Sequence, residues 1–487
     1  MNVLAVTGAR AMSQNNRKKQ NEKRRAEEER LAARRRERHA ASPNDPIRDA
    51  EAPDQRSPIV AELIVRAVQA HFDDDQFGLD LIVDRLSQLG GSDAAARLRL
   101  AGASLTDGDV LSIVLAEALS RRLQVCWASG WQPMDVVRVV ARLESSIVSE
   151  VAAGAVVDDA ERHWGQPVHP QWSAQLEELE PWWAERSPTR STWLGRCART
   201  VGVGLREVIE HVVVLLARLQ RLPILPLLIP PPGPGAALAA QGRRASGEID
   251  AKVLGRVRGL LAKAESTEFP EEADALTEKA QELMTRHSID VAMVAAANTD
   301  AGGESLPQAR RIHLDAPYVE AKAMVVGAVA SANRSRAVLA AELGFVTVFG
   351  FDTDLAVIDV LFTSLLAQAT TSMVVAGRIV SKTGVSKTRS FRQSFLVSYA
   401  SRIGERLREA AATSTHDAEA DFGAAMLPVL VRREADVEDA VAVAFPSIRK
   451  IRTRVGNEAG WHAGRIAADQ ASFDSFAKLH STVPDRA

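Results

Sequence analysis

The chain holds 487 residues, with 60 Lys+Arg against 62 Asp+Glu, a formal net charge of −2 and 46% hydrophobic residues. These are globular proportions, and at roughly 100–200 residues per domain they allow two to four domains while excluding collagen, a disulfide scaffold and full-length disorder. Cys126 and Cys197 are the only cysteines, so no Cys-based zinc site is encoded, and the usage fits a reducing cytoplasm.

The −2 is an average over unlike parts: residues 1–40 carry an excess of seven positive charges, residues 41–230 of eight negative, and residues 231–487 of one negative. The basic excess sits in Arg17-Lys18-Lys19, Lys23-Arg24-Arg25 and Arg34-Arg35-Arg36, with Glu27, Glu28 and Glu29 between them and almost nothing apolar to bury. Residues 1–56 therefore read as a basic disordered tail. Two readings stand for it, a solvated tail or one that turns helical on a polyanion. Met1–Ala9 are mildly apolar, but the positive charges follow them instead of preceding them, which argues against a signal peptide; initiation at Met12 is an alternative start.

Residues 57–222 read as an acidic, Trp-rich helical domain. Pro58–Gly90 shows helical spacing, interrupted at Asp73-Asp74-Asp75. Thr106–Gln124 places Asp107 and Asp109 where negative charge suits a helix start. Pro133 opens the next helix, for which the pattern predicts one element over Met134–Ala152, and Gly202–Leu222 forms another. Seven of the eight tryptophans (Trp127, Trp131, Trp164, Trp172, Trp182, Trp183 and Trp193) fall here, either as a platform for a protein partner or as large rings filling space between helices. The apolar stretch Val212–Ile229 is broken by Arg218, Arg221, Pro223 and Pro226, so no membrane partner is expected. Six prolines between Leu222 and Gly235 force an extended chain, and residues 223–248 read as a linker.

Residues 249–298 form two apolar stripes at helical spacing, Val253–Ala264 and Ala273–His287, across the turn Ser266–Glu272; this is a helical hairpin too short to stand alone. Lys252-Val253-Leu254, Leu260–Ala264, Phe269-Pro270-Glu271-Glu272-Ala273, Lys279–Met284 and His287-Ser288-Ile289-Asp290 resemble the bacterial and phage family called domain of unknown function 2786. Residues 308–481 resemble the companion called domain of unknown function 7168. The resemblance implies no activity. Within the companion region a strand is expected at Arg310–Leu314, a helix at Tyr318–Asn333, a β-hairpin from Arg336–Ala341 and Phe345–Phe351, and helices from Asp352 or Thr353 to about Arg378, from Ser390 to Ala412 and from Glu458 to His480. The expected fold is mainly α, with an N-terminal all-helical domain, a hairpin, and a C-terminal α+β module bearing a small antiparallel sheet.

Familiar catalytic signatures fail. Glu207–His211 lacks the second histidine of a zinc-protease helix. Thr383–Thr388 ends like a phosphate loop, but Ser381 and Ser386 stand where glycines are needed, and Gly202-Val203-Gly204 has Glu207 in place of the third glycine of a dinucleotide turn. His287, His313 and His462, with Asp290 or Asp352, have no metal-ligand spacing. No catalytic residue, metal or cofactor is therefore assigned.

The positive signal is local charge. Arg378–Arg392 holds five basic residues and no acid, and leads into a helix start where Lys387, Arg389 and Arg392 would suit a phosphate. Arg449, Lys450, Arg452 and Arg454 form a second run, as a strand or an unstructured loop. The expectation is a cytoplasmic, non-enzymatic nucleic-acid-associated or adaptor protein touching RNA or DNA phosphates through tail and loops. The alternatives are a hydrolase of a phosphorylated substrate and a scaffold binding a protein through residues 57–222.

Overall fold

In the computed structural model, residues 53–90, 107–164, 168–179, 193–232, 255–257, 259–260, 270–297, 306–375, 387–449, 456–469 and 471 are described. They are mainly helical, with one small three-stranded antiparallel sheet. They fall into two compact units, divided between Gln241 and Gly242.

In the described part of the N-terminal unit every regular element is a helix: α1 (Pro53–Phe72), α2 (Gln76–Gly90), α3 (Asp107–Ala128), α4 (Pro133–Leu143), α5 (Ser146–His163), α6 (Pro170–Leu179), α7 (Trp193–Val201) and α8 (Leu205–Gln220). The acidic break between α1 and α2 is a start signal, since the Asp75 carboxylate accepts the Gly78 amide at 3.2 Å. The single helix expected over Met134–Ala152 is two. The chain breaks at Glu144 because Ser145, in extended backbone, turns its hydroxyl onto the Val148 amide and caps α5. The core is built from apolar stripes such as Leu111, Leu115 and Leu119 of α3 and Val208, Val212 and Leu215 of α8.

The proline segment after α8 is extended, as its residues require. It is also held against the helices. Trp131 Nε1 donates to the Pro223 carbonyl at 2.7 Å, Trp172 Nε1 to that of Pro230 at 3.0 Å, and Leu225 N to that of Ser129 at 2.9 Å. Gly130 is the only residue type that fits beneath it, because a Cβ there would lie 2.4 Å from the Leu225 oxygen.

In the C-terminal unit, residues 255–257 and 259–260 are helical, and α9 (Pro270–Ala297) follows. The rest of the hairpin's first arm lies outside the described residues. Then come β1 (Gln308–His313), α10 (Val319–Ala332), β2 (Arg336–Ala340), β3 (Phe345–Gly350), α11 (Asp352–Val375), α12 (Thr388–Phe422), α13 (Met426–Ala444) and α14 (Glu458–Asp469). The sheet order is β1-β3-β2, with Thr347 of β3 opposite Arg311 on one side and Val338 on the other. Its central strand is buried along its length. Val325 and Val329 of α10, Val346 and Val348 of β3, Ile358 and Leu361 of α11, and Phe395, Tyr399 and Ile403 of α12 share one core. By length and composition α11 could cross a membrane, but its Leu355, Ile358, Leu361 and Leu365 face is spent in that core. Two helices depart from expectation. The Ser390–Ala412 helix runs from Thr388 to Phe422, and the Ala- and Asp-rich stretch beyond it supplies the end of α12 and then α13.

Candidate functional site

Parallel packing of α12 and α14 organises the end of the C-terminal unit that carries the predicted cationic residues. Gly460 and Gly464 lie one turn apart on α14, and a Cβ at either would come within 2.4 Å of a backbone oxygen of α12, that of Phe391 or of Phe395. The two backbones therefore touch, as small residues four apart allow. Polar contacts keep the same register: Asn457 N donates to Ser394 Oγ at 3.1 Å, and Ser398 Oγ to the Trp461 carbonyl at 2.5 Å. Asn457 caps α14 through its own side chain, which accepts the Gly460 amide at 2.8 Å. Both helices thus start at one end, where unpaired amides give each a partial positive charge.

Lys387 immediately precedes α12 and is exposed, and Arg389 is exposed in its first turn. Arg392 is half-buried, and its Nε is enclosed without a hydrogen-bond partner. Arg449 is exposed after α13. Lys450, Arg452 and Arg454 lie outside the described residues, and the chain re-enters at Gly456, directly ahead of the Asn457 cap. Phe391, considered as a stacking group, is buried against Phe395, with ring centroids 6.4 Å apart.

His462 is exposed, with Nε2 3.8 Å from the Glu458 carboxylate. His313 sits at the end of β1 with its ring 5.6 Å from that of Phe345. Among the described residues, no group of three or more His, Cys, Asp or Glu is arranged to hold a metal ion.

Two buried polar hubs escaped sequence reasoning. In the N-terminal unit the Asp159 carboxylate, fully buried, accepts Ser120 Oγ at 2.5 Å, Trp127 Nε1 at 2.9 Å and Trp164 Nε1 at 3.1 Å. His163 Nδ1 lies 3.2 Å from both Asp159 and Ser120. The trio has the residue types of a hydrolytic triad without its geometry, because one imidazole nitrogen meets both partners and the serine gives its proton to the aspartate. Trp127, Trp164 and Trp172 meet edge to face around it, with centroids 5.1 to 6.1 Å apart.

The second hub ties α9 to the rest of its unit. Asp354, in the first turn of α11, is buried and faces Arg433 of α13 at 3.7 Å, while Ser288 of α9 donates to it. Burial pushes the carboxyl up, against the pull of Arg433, Ser288, Arg334 and His287. The same burial lowers Arg433 and Arg334. The Arg433 guanidinium also lies 3.6 Å from the centroid of the Phe351 ring, and Arg334 donates to Thr415 Oγ1 at 2.9 Å. A Ser-Ile-Asp sequence after His287 is the local signal for this hub, but its partners Arg334, Asp354 and Arg433 are 46 to 145 residues further along the chain.

Residues 252–291 match the family model described as protein of unknown function (DUF2786). No curated protein and no solved structure matches the chain. The matched segment thus contains most of α9, including Gln281, whose side chain donates to Asn333, and Ser288, which hydrogen-bonds Asp354.

Proposed function

We propose that the C-terminal unit is a phosphate-contacting module that binds RNA or DNA without base specificity at the shared N-terminal end of α12 and α14, in a cytoplasmic protein that is not an enzyme. The observation that carries this reading is the parallel register of α12 and α14. It brings two helix N-termini side by side, next to the basic residues Lys387, Arg389 and Arg392 that open α12. The resemblance of residues 308–481 to domain of unknown function 7168 belongs to the same reading, as the body on which the DUF2786 segment is mounted.

Fluorescence anisotropy of the full chain with a single-stranded RNA and with duplex DNA, at 50 and 200 mM salt, tests it. Three phosphate contacts predict affinity falling roughly 20- to 40-fold over that fourfold salt change. The triple substitution Lys387→Ala, Arg389→Ala, Arg392→Ala should weaken both ligands alike and flatten the salt slope by about two to three. Absence of binding at 50 mM salt, or a triple variant that binds like the parent, would remove the module from consideration.

A further inference from the structure

In the N-terminal unit, α1 packs beside α3, and between them lies an apolar groove of about 670 Å³ to which α8 adds Leu216. Both walls follow a heptad spacing. On α1 the lining residues are Pro58, Ala61, Val65, Val68 and Phe72, alternating steps of three and four. On α3 the same alternation runs through Val114, Ala118, Arg121 and Val125. Seams of this period are built to meet other helices. Here the groove stands open, with Val65, Ile113 and Val125 of its lining 46 to 63% exposed, a cluster that marks an interaction face. Two adjacent helices with an uncovered seam between them are half of a four-helix bundle.

The charges on α3 indicate what supplies the other half. Its exposed ridge reads Ile113, Glu117, Arg121, Val125, which is apolar, acidic, basic and apolar at steps of one turn. Reversed, this order is its own complement. When two copies of α3 lie antiparallel about a twofold axis at residue 119, Glu117 faces Arg121 of the second copy and Ile113 faces its Val125, because each pair is equidistant from the axis. Arg122, exposed next to Arg121, adds a second base within reach of the same carboxylate. The lining stretch of α1, residues 58–72, is centred on Val65, which the same axis sets beside its own copy. Within one chain Glu117 and Arg121 pair with each other as exposed i, i+4 neighbours, a contact of little net worth that exchanges readily for one across an interface. A partner of a single charge sign would be opposed by one of the two, which favours a self-complementary occupant over an acidic or a basic one.

We infer that the α1–α3 face is a homodimer interface, on which two copies of the chain complete an antiparallel four-helix bundle. The facing stretches are about 20 Å long and two helices wide, roughly 400–500 Å² from each copy, which lies at the low end for specific interfaces and suits a weak, reversible dimer. This face belongs to the other unit from the phosphate-contacting end and stands if that reading fails.

Sedimentation velocity of the nuclease-treated full chain at about 1–100 µM tests the interface. A reversible monomer–dimer equilibrium is expected. Glu117→Arg and, separately, Arg121→Glu should each weaken self-association roughly tenfold or more, because like charges then meet twice across the twofold axis. Mixing the two single variants should restore association, since a chain with two bases meets one with two acids, and the double variant Glu117→Arg, Arg121→Glu should dimerise like the parent. A merely damaged fold would recover in neither case. Val65→Gln, at a position already exposed, should weaken the dimer with an unchanged circular dichroism spectrum; if that variant fails to fold, the charge exchange decides alone. A chain that stays monomeric at the highest concentration, a dimer indifferent to both charge reversals, or single variants that remain apart on mixing overturns the inference and leaves the groove to a different occupant.

Discussion

Asp159 shows how one side chain sets the use of several others. Trp127, Trp164 and Ser120 all point donors at its buried carboxylate, so the rings are anchored as well as packed. Composition reveals tryptophans in need of cover, but not which acid among 62 they share, because Ser120 and Trp127 lie on α3, more than 30 residues before Asp159 on α5. Asp159→Ala should strand these donors and destabilise the unit by about 3 kcal/mol in urea unfolding, with red-shifted tryptophan emission. Asp354 and Arg433 behave differently, since burial disfavours the charge on both. Arg433→Met removes the cation from beside a buried carboxylate and should cost about 3–5 kcal/mol near pH 8. The pH dependence has a definite sign. The folded-state pKa of Asp354 is already raised, and it rises further without Arg433. Protonation then favours the folded variant, and its deficit should shrink as pH falls through the raised pKa toward the ordinary carboxylate range. Urea midpoints of parent and variant at pH 8 and pH 5 check this; a deficit that is constant or larger at pH 5 would contradict it.

At the scale of elements, the pairing of α12 with α14 depends on two hydrogen atoms in place of methyl groups. Gly460→Ala or Gly464→Ala drives a Cβ into the α12 backbone, which cannot withdraw as a flexible side chain would. Each should destabilise the C-terminal unit by about 1–3 kcal/mol. Gly456→Ala, with open space around it, serves as the control, and thermal unfolding followed by circular dichroism measures all three. The Gly-x-x-x-Gly spacing was present in the sequence but is ordinary in an alanine-rich helix, and only the facing backbone gives it meaning. Helix periods were legible where a helix has one buried face, as for α8, and β3 was legible as a short apolar run although both its faces are buried. They failed for α13, whose exposed Leu427, Val431 and Val443 and charged Arg432–Glu434 blur its stripe. The break between α4 and α5 carried its own signal in Ser145, overridden by the apolar period on either side.

At the scale of the whole chain, charge and chain division follow different lines. The acid excess of residues 41–230 is offset within the same unit by the basic run of residues 1–40, and the other unit is itself near neutral, so the candidate phosphate-contacting end lies in a unit whose average charge conceals it. The proline segment was legible as extended because proline has no amide to give a helix or ladder. Its carbonyls remain, however, and two buried indole N–H groups use them, while the segment's own Leu225 amide donates to the Ser129 carbonyl. Ile229 is buried in the same contact. The segment therefore contributes to the stability of the helical unit. Ending the N-terminal unit at Leu222 would leave Trp131 and Trp172 with unpaired donors in a partly uncovered core, whereas ending it at Pro232 keeps both. At about 1–3 kcal/mol for each stranded donor, residues 53–222 should unfold at clearly lower urea concentration than residues 53–232, with tryptophan fluorescence as the readout. Coincident midpoints for the two fragments would mean that the prolines only connect, and that the indole contacts add nothing to the fold.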